Sequence, residues 1–140
     1  MAYTLYNQLG YAVDQVLSEN QALPNTTSGD STNTVTLNNT KGDDIRVVVC
    51  SGSVTTELTS SATLEIRPTV GLTADAVTTV LPSILIKQGV QSTDSWASGA
   101  VIADFCIPAS LIGANRYLKL TYVASADESA DKVEAFTCLR

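Results

Sequence analysis

Arg116-Tyr-Leu-Lys-Leu-Thr-Tyr-Val123, then a polar turn, then Lys132-Val-Glu-Ala-Phe136, is the stretch on which the fold of this chain turns. Successive side chains of an extended backbone point to opposite faces. Leu118, Leu120 and Tyr122 therefore share one face, and Lys119 and Thr121 the other. The pattern predicts two strands joined by a hairpin-like connection. The last segment alternates less cleanly. Val133, Ala135, Thr137 and Leu139 share a face, while Phe136 and Cys138 lie opposite. Either both faces are covered or a bulge shifts the register.

The same period of two recurs upstream. Thr34-Val-Thr-Leu37 puts Val35 and Leu37 inward, and Thr63-Leu-Glu-Ile-Arg67 does so for Leu64 and Ile66, with Pro68 limiting that strand. Ile45-Arg-Val-Val-Val-Cys50 is nearly all apolar, as a central strand buried on both faces would be. Ser83–Lys87 and Ala100–Ile107 are further strand candidates. Pro24–Asn33 and Asn38–Asp44 are dense in turn formers and read as loops. Thr73–Val77 reads as a helical turn or a loop, and Leu111–Asn115 as a turn. Seven or eight short strands, with no strand–helix alternation, predict an all-β, jelly-roll-like antiparallel β-sandwich over residues 24–140.

Residues 1–23 differ. Leu5, Leu9, Val13, Val16 and Leu17 fall near helical spacing, interrupted by Gly10. This segment is expected to be an N-terminal arm or short helix. It holds Tyr3, Tyr6 and Tyr11, three of the five tyrosines. They suit either a helix that covers one end of the domain or an arm laid on a partner.

A length of 140 residues suits one domain. The composition, 44% hydrophobic and 16% charged, argues against disorder. Apolar runs such as Leu81–Ile86 fall far short of the ~18–20 residues of a membrane span, so no membrane partner is expected. The net charge of −6 repels phosphates, and the eight Lys and Arg form no stripe, which speaks against nucleic acid. Met1–Leu5 has neither the basic start nor the apolar core of a secretory signal. Cys50, Cys106 and Cys138 sit among apolar residues and are expected to be buried, reduced thiols of a protein folded in a reducing cytoplasm.

The chain has no histidine, which removes the commonest general base and metal ligand. It contains no Gly-rich phosphate loop and no CxxC pair. No enzymatic activity, cofactor or metal is therefore expected. Asp43-Asp44 and the group Asp127, Glu128 and Asp131 read as solvated turn residues, with calcium as the other reading. Asp104 interrupts an apolar strand and should face outward or pair with Arg116 or Lys119. Trp96 stands between small polar residues. It reads as a core edge or interface anchor, and alternatively as a surface ring for stacking a sugar.

Two blocks carry a resemblance. Arg116–Val123 followed by Asp131-Lys-Val-Glu-Ala-Phe136 is similar to the end of the capsid cement, or decoration, proteins of tailed bacteriophages. There an "RYLRL-Y" strand precedes a "GKV-A" strand. Lys119 stands for the second basic residue, and Asp131 stands where the family often has Gly. Ser18-Glu-Asn-Gln-Ala-Leu23 and Ser31-Thr-Asn-Thr-Val-Thr-Leu37 resemble that family's front end. The blocks cover under half of the chain, and Val70–Trp96 carries no resemblance. What the resemblance implies is a jelly roll on the outer surface of an icosahedral phage head. It would be made in the bacterial host, form a dimer or trimer, and bridge neighbouring copies of the major capsid protein. Tyr3, Tyr6, Tyr11 and Trp96 are the expected partner contacts. The other readings are a carbohydrate-binding module on a virion or cell surface, and a small head–tail or baseplate component.

Overall fold

The computed structural model describes residues 15–37, 44–59, 62–87 and 95–139. The strands are β1 (Val16–Ala22), β2 (Ser28–Asp30), β3 (Val35–Thr36), β4 (Ile45–Ser51), β5 (Thr56–Glu57), β6 (Thr63–Gly71), β7 (Thr79–Val80), β8 (Ile84–Lys87), β9 (Ser95–Trp96), β10 (Val101–Ile107), β11 (Tyr117–Ala124) and β12 (Lys132–Leu139). A four-residue helical turn, α1 (Ala109–Ile112), precedes β11. All the pairings are antiparallel.

One sheet has the order β1-β12-β4-β10. The other is built on β11 and β6, with β2 and β3 on the free edge of β11 and β7 and β8 on that of β6. β5 and β9 form a separate small ribbon. The pairs nest: β1 with β12, β2 and β3 with β11, β4 with β10, β5 with β9, β6 with β7 and β8. The chain is thus a long antiparallel ribbon, rolled so that β4 also meets β12 and β6 also meets β11. The result is an all-β sandwich.

The closing segment is not a hairpin. β11 pairs with β6, β2 and β3, whereas β12 pairs with β1 and β4 in the other sheet. Residues 125–131 cross between the sheets. Alternation within a strand says which face is apolar; it does not distinguish a tight turn from an arch over the end of a sandwich.

Leu17, Val47, Val49, Val133 and Ala135 of one sheet pack into a single core with Leu64, Ile66, Leu118, Leu120 and Tyr122 of the other. Tyr122 is fully buried, and its hydroxyl meets Ser18 Oγ at 2.8 Å across the sandwich. Burial pushes the Tyr122 hydroxyl pKa up, partly offset by that hydrogen bond. β12 is covered on both faces: Glu134 and Phe136, opposite the core face, are as buried as Val133 and Ala135. Its pairing with β4 runs without a register shift, so coverage rather than a bulge explains the mixed pattern.

Three further expectations change. Val16–Ala22 is a strand with Leu17 in the core, not an arm or helix. Ser28–Asp30, within the expected loop, pairs with β11. β6 continues through Pro68 to Gly71. Pro68 lies opposite Leu120, whose N–H turns away to Ser31 Oγ. The missing proline N–H therefore faces the other edge, where the neighbour changes from β8 to β7 and no ladder bond is lost. Tyr3, Tyr6, Tyr11 and Asp43 lie outside the described residues.

Candidate functional site

Trp96 lies on β9, opposite Thr56 of β5. It is half-buried and packs against the core, so its ring is a core-edge residue with one side accessible. Its partner strand is firmly held: the Thr56 hydroxyl meets Ser51 Oγ at 2.8 Å and donates to the Lys132 carbonyl at 3.2 Å.

The carboxylates have separate structural tasks. Asp44 Oδ1 accepts the Ala109 N–H at 3.0 Å at the start of α1. Asp104 faces outward but pairs with Arg46, not with Arg116 or Lys119. The fork is bidentate, at 2.8 and 2.5 Å. Such a half-exposed pair on neighbouring strands contributes little stability. Lys119 instead donates to Asp30 Oδ2 at 2.9 Å. With the Thr121 hydroxyl on Oδ1, it holds the Asp30 carboxyl below the usual carboxylate range. Asp127 Oδ1 takes the Ser129 N–H and hydroxyl in a turn.

Glu128 and Asp131 are not solvated turn residues, because both are buried. Glu128 Oε1 accepts the Thr59 N–H at 2.8 Å, and Asp131 Oδ1 accepts the Glu57 N–H at 3.4 Å. Among the described residues no group of three or more His, Cys, Asp or Glu could hold a metal ion. Asp127, Glu128 and Asp131 are thus not arranged as a calcium site.

The sequence reading passed over Glu134. It is buried on the outer face of β12, and its Oε2 has no hydrogen-bond partner among the described residues. Desolvation, followed by the charge of Glu19, raises its pKa. The signal was its position, two residues from Phe136 and on the same strand face. Opposite it lies Cys50, also buried. Burial first, then the charges of Glu134 and Asp104, pushes the Cys50 thiol up to about 11. A thiol held protonated is a poor nucleophile. Cys106 corrects the expectation of buried thiols: it is exposed.

Cys106 also lines a cleft of about 240 Å³ between the facing sheet edges. Pro68, Leu81 and Ile84 form one wall, and Phe105, Ile107 and Leu111 the other. No acidic or basic side chain lines it. An apolar group fits such a cleft, but no acid and base converge there to move a proton.

Among the described residues no helix is long and apolar enough to cross a membrane. No protein-family model matches the chain, and no curated protein matches it.

Proposed function

We propose that this protein is a structural virion component, a capsid cement protein that binds the outer surface of an icosahedral phage head and bridges neighbouring major capsid subunits. One observation carries the reading. The sequence blocks that resemble that family lie far apart in the chain yet are hydrogen-bonded neighbours in the fold. Ser18 pairs with Ala135 and Gln21 with Val133, joining the first block to the last. Val35 pairs with Leu118 and Thr36 with Tyr117, joining the other two. Blocks that co-occur because they build one structural unit behave in this way; chance matches have no reason to.

The nested pairing supports reading the sandwich as a jelly roll. The absence of histidine supports a role without catalysis, and the acidic surface supports a position away from packaged DNA. A dimer or trimer that spans several subunits gains avidity from modest contacts. Tyr3, Tyr6 and Tyr11 supply the first of those contacts in this reading, and the accessible side of Trp96 a second.

Co-sedimentation with undecorated, expanded phage capsids tests the proposal. Binding that saturates at a fixed ratio to capsid subunits is expected. Protein that stays in the supernatant while the shells remain intact refutes it. Leu17 belongs to the core, so a truncation that tests the arm must stop before Gln15. Removing residues 1–14 should weaken co-sedimentation, with circular dichroism reporting separately on the β-core.

A further inference from the structure

β1, β12 and β4 carry a second buried surface, on the face turned away from the other sheet. Val16, Phe136 and Val48 lie side by side across the three strands, and Glu134 and Cys50 form the next row. Each is at most 3% exposed. Yet Val16, Phe136, Val48 and Cys50 do not belong to the core between the sheets. Stacking two sheets buries one face of each, so this face needs a cover of its own. The β5–β9 ribbon does not supply it: Thr56 reaches Ser51, which shares its face of β4 with the core residues Val47 and Val49.

The residues outside those described are 1–14, 38–43, 60–61, 88–94 and 140. Segment 38–43 holds no apolar side chain, 60–61 are serines, residue 140 is an arginine, and 88–94 holds only Val90. Residues 1–14 hold Tyr3, Leu5, Tyr6, Leu9, Tyr11 and Val13, with Asp14 as the single charged side chain. Only this segment has the apolar area to seal such a face.

We propose that residues 1–14 fold back over the outer face of β1, β12 and β4 of their own chain and close it as a third layer. This goes beyond the cement reading and does not rest on it. In the free protein the segment is a cover, and only its side chains turned away from the sheet remain for a shell. Reach and chemistry both fit. The segment enters at the edge of the face: the Gln15 carbonyl still accepts the Thr137 hydroxyl at 3.4 Å, and Val16 begins the first row. From β1 to β4 is two strand spacings, about 10 Å, whereas residues 1–14 span up to about 46 Å when extended. Glu134 Oε2 is buried with no hydrogen-bond partner among the described residues, and an oxygen so placed calls for a donor. Three tyrosines offer hydroxyl donors on rings that also bury apolar area. Burial first, then the charge of Glu19, raises the Glu134 carboxyl, and the amino-terminal charge opposes them, as a segment returning over this face would have it.

NMR of the full-length protein tests the cover. Nuclear Overhauser contacts are expected between ring protons of Tyr3, Tyr6 or Tyr11 and the methyls of Val48. They should appear in uniformly labelled protein and vanish in a mixture of labelled and unlabelled chains filtered for contacts between chains. Contacts that survive the filter would assign the cover to a second copy and overturn the proposal. So would the absence of any contact to Val48. Alkylation followed by peptide mapping gives a second readout. In the full chain Cys106 should react and Cys50 should be protected, since one is exposed and the other buried. Removing residues 1–14 should abolish the protection of Cys50 while circular dichroism keeps its β signal. A folded truncation in which Cys50 stays protected overturns the cover, and the full-length contacts decide alone if the shortened chain unfolds. Capsids enter neither measurement, so failed co-sedimentation would leave the cover standing.

Discussion

The strands at the centres of the two sheets bury themselves differently. β11 alternates, with Leu118, Leu120, Tyr122 and Ala124 buried and the residues between them partly exposed. β12 shows no such alternation: Val133 through Thr137 are all buried. β4 behaves as β12 does, with Val48 and Cys50 as inaccessible as Val47 and Val49. The centre of one sheet therefore presents a wet face, whereas in the other sheet β12 and most of β4 are buried on both faces, and it is the flanking β10 that reaches solvent, at Asp104 and Cys106. An outward position means something different in each: on β11 it carries Lys119 and Thr121, on β12 Phe136 and Glu134. A residue's strand parity is not enough to assign its environment; the covering of its sheet must also be known.

The largest test of this contrast is Phe136→Ala. Phe136 faces away from the main core yet is fully buried between Val16 of β1 and Val48 of β4. Its truncation should cost about 3–5 kcal/mol in urea unfolding, as for a core aromatic. A loss below about 1 kcal/mol would mean that this face is wet like that of β11.

A middle-sized effect belongs to the contact between the sheets. Tyr122→Phe removes the hydroxyl that meets Ser18 Oγ and should cost about 1–2 kcal/mol, since a buried partner loses its hydrogen bond. Ser18→Ala should cost at least as much, since the Ser18 hydroxyl also donates to Gln21 Oε1 at 2.7 Å. The double variant should cost less than the sum, because the bond between Tyr122 and Ser18 is broken in both singles. Strict additivity would show that the two groups do not interact across the sandwich.

The smallest effect lies on the wet face. Lys119→Met removes the cation that lowers the Asp30 carboxyl, and should cost below about 1 kcal/mol at neutral pH for so exposed a pair. The sign gives the sharper test. A depressed folded-state pKa contributes stability above the ordinary value of 3.8 that is lost as pH falls below it. The Lys119→Met variant should thus lose less stability than wild type on acidification. An unchanged acid limb would show that the pair contributes nothing.

Much of the fold was legible because strand periodicity is local. The inward sets Val35 and Leu37, Leu64 and Ile66, and Leu118, Leu120 and Tyr122 are all core or buried, and the apolar run at Ile45–Cys50 is a central strand. What failed depended on partners distant in sequence. Pro68 ends no strand because the edge it faces changes neighbour there. Val16 and Leu17 fit helical spacing equally well until β12 supplies a ladder. Glu128 and Asp131 look like turn residues in a polar string, and only the arrival of β5 buries them. Cys106 looks apolar by its neighbours but sits on an edge strand that leaves it exposed. For the candidate contacts, the placement of Trp96 at a core edge agrees with one sequence reading, whereas nothing in the sequence marked the apolar cleft, whose walls come from both sheets.

The sequence by itself determined that this chain is all-β, which side chains each strand turns inward, and that no histidine is present for catalysis or metal binding, because these follow from residue type and a period of two. Only the tertiary structure decided that the last two strands belong to opposite sheets, that the central strands of one sheet are buried on both faces, and that Glu128 and Asp131 are buried at the end of the sandwich. Those outcomes depend on which distant edges meet, and backbone hydrogen bonds are the same for every candidate partner; the choice is made by the packing of the whole.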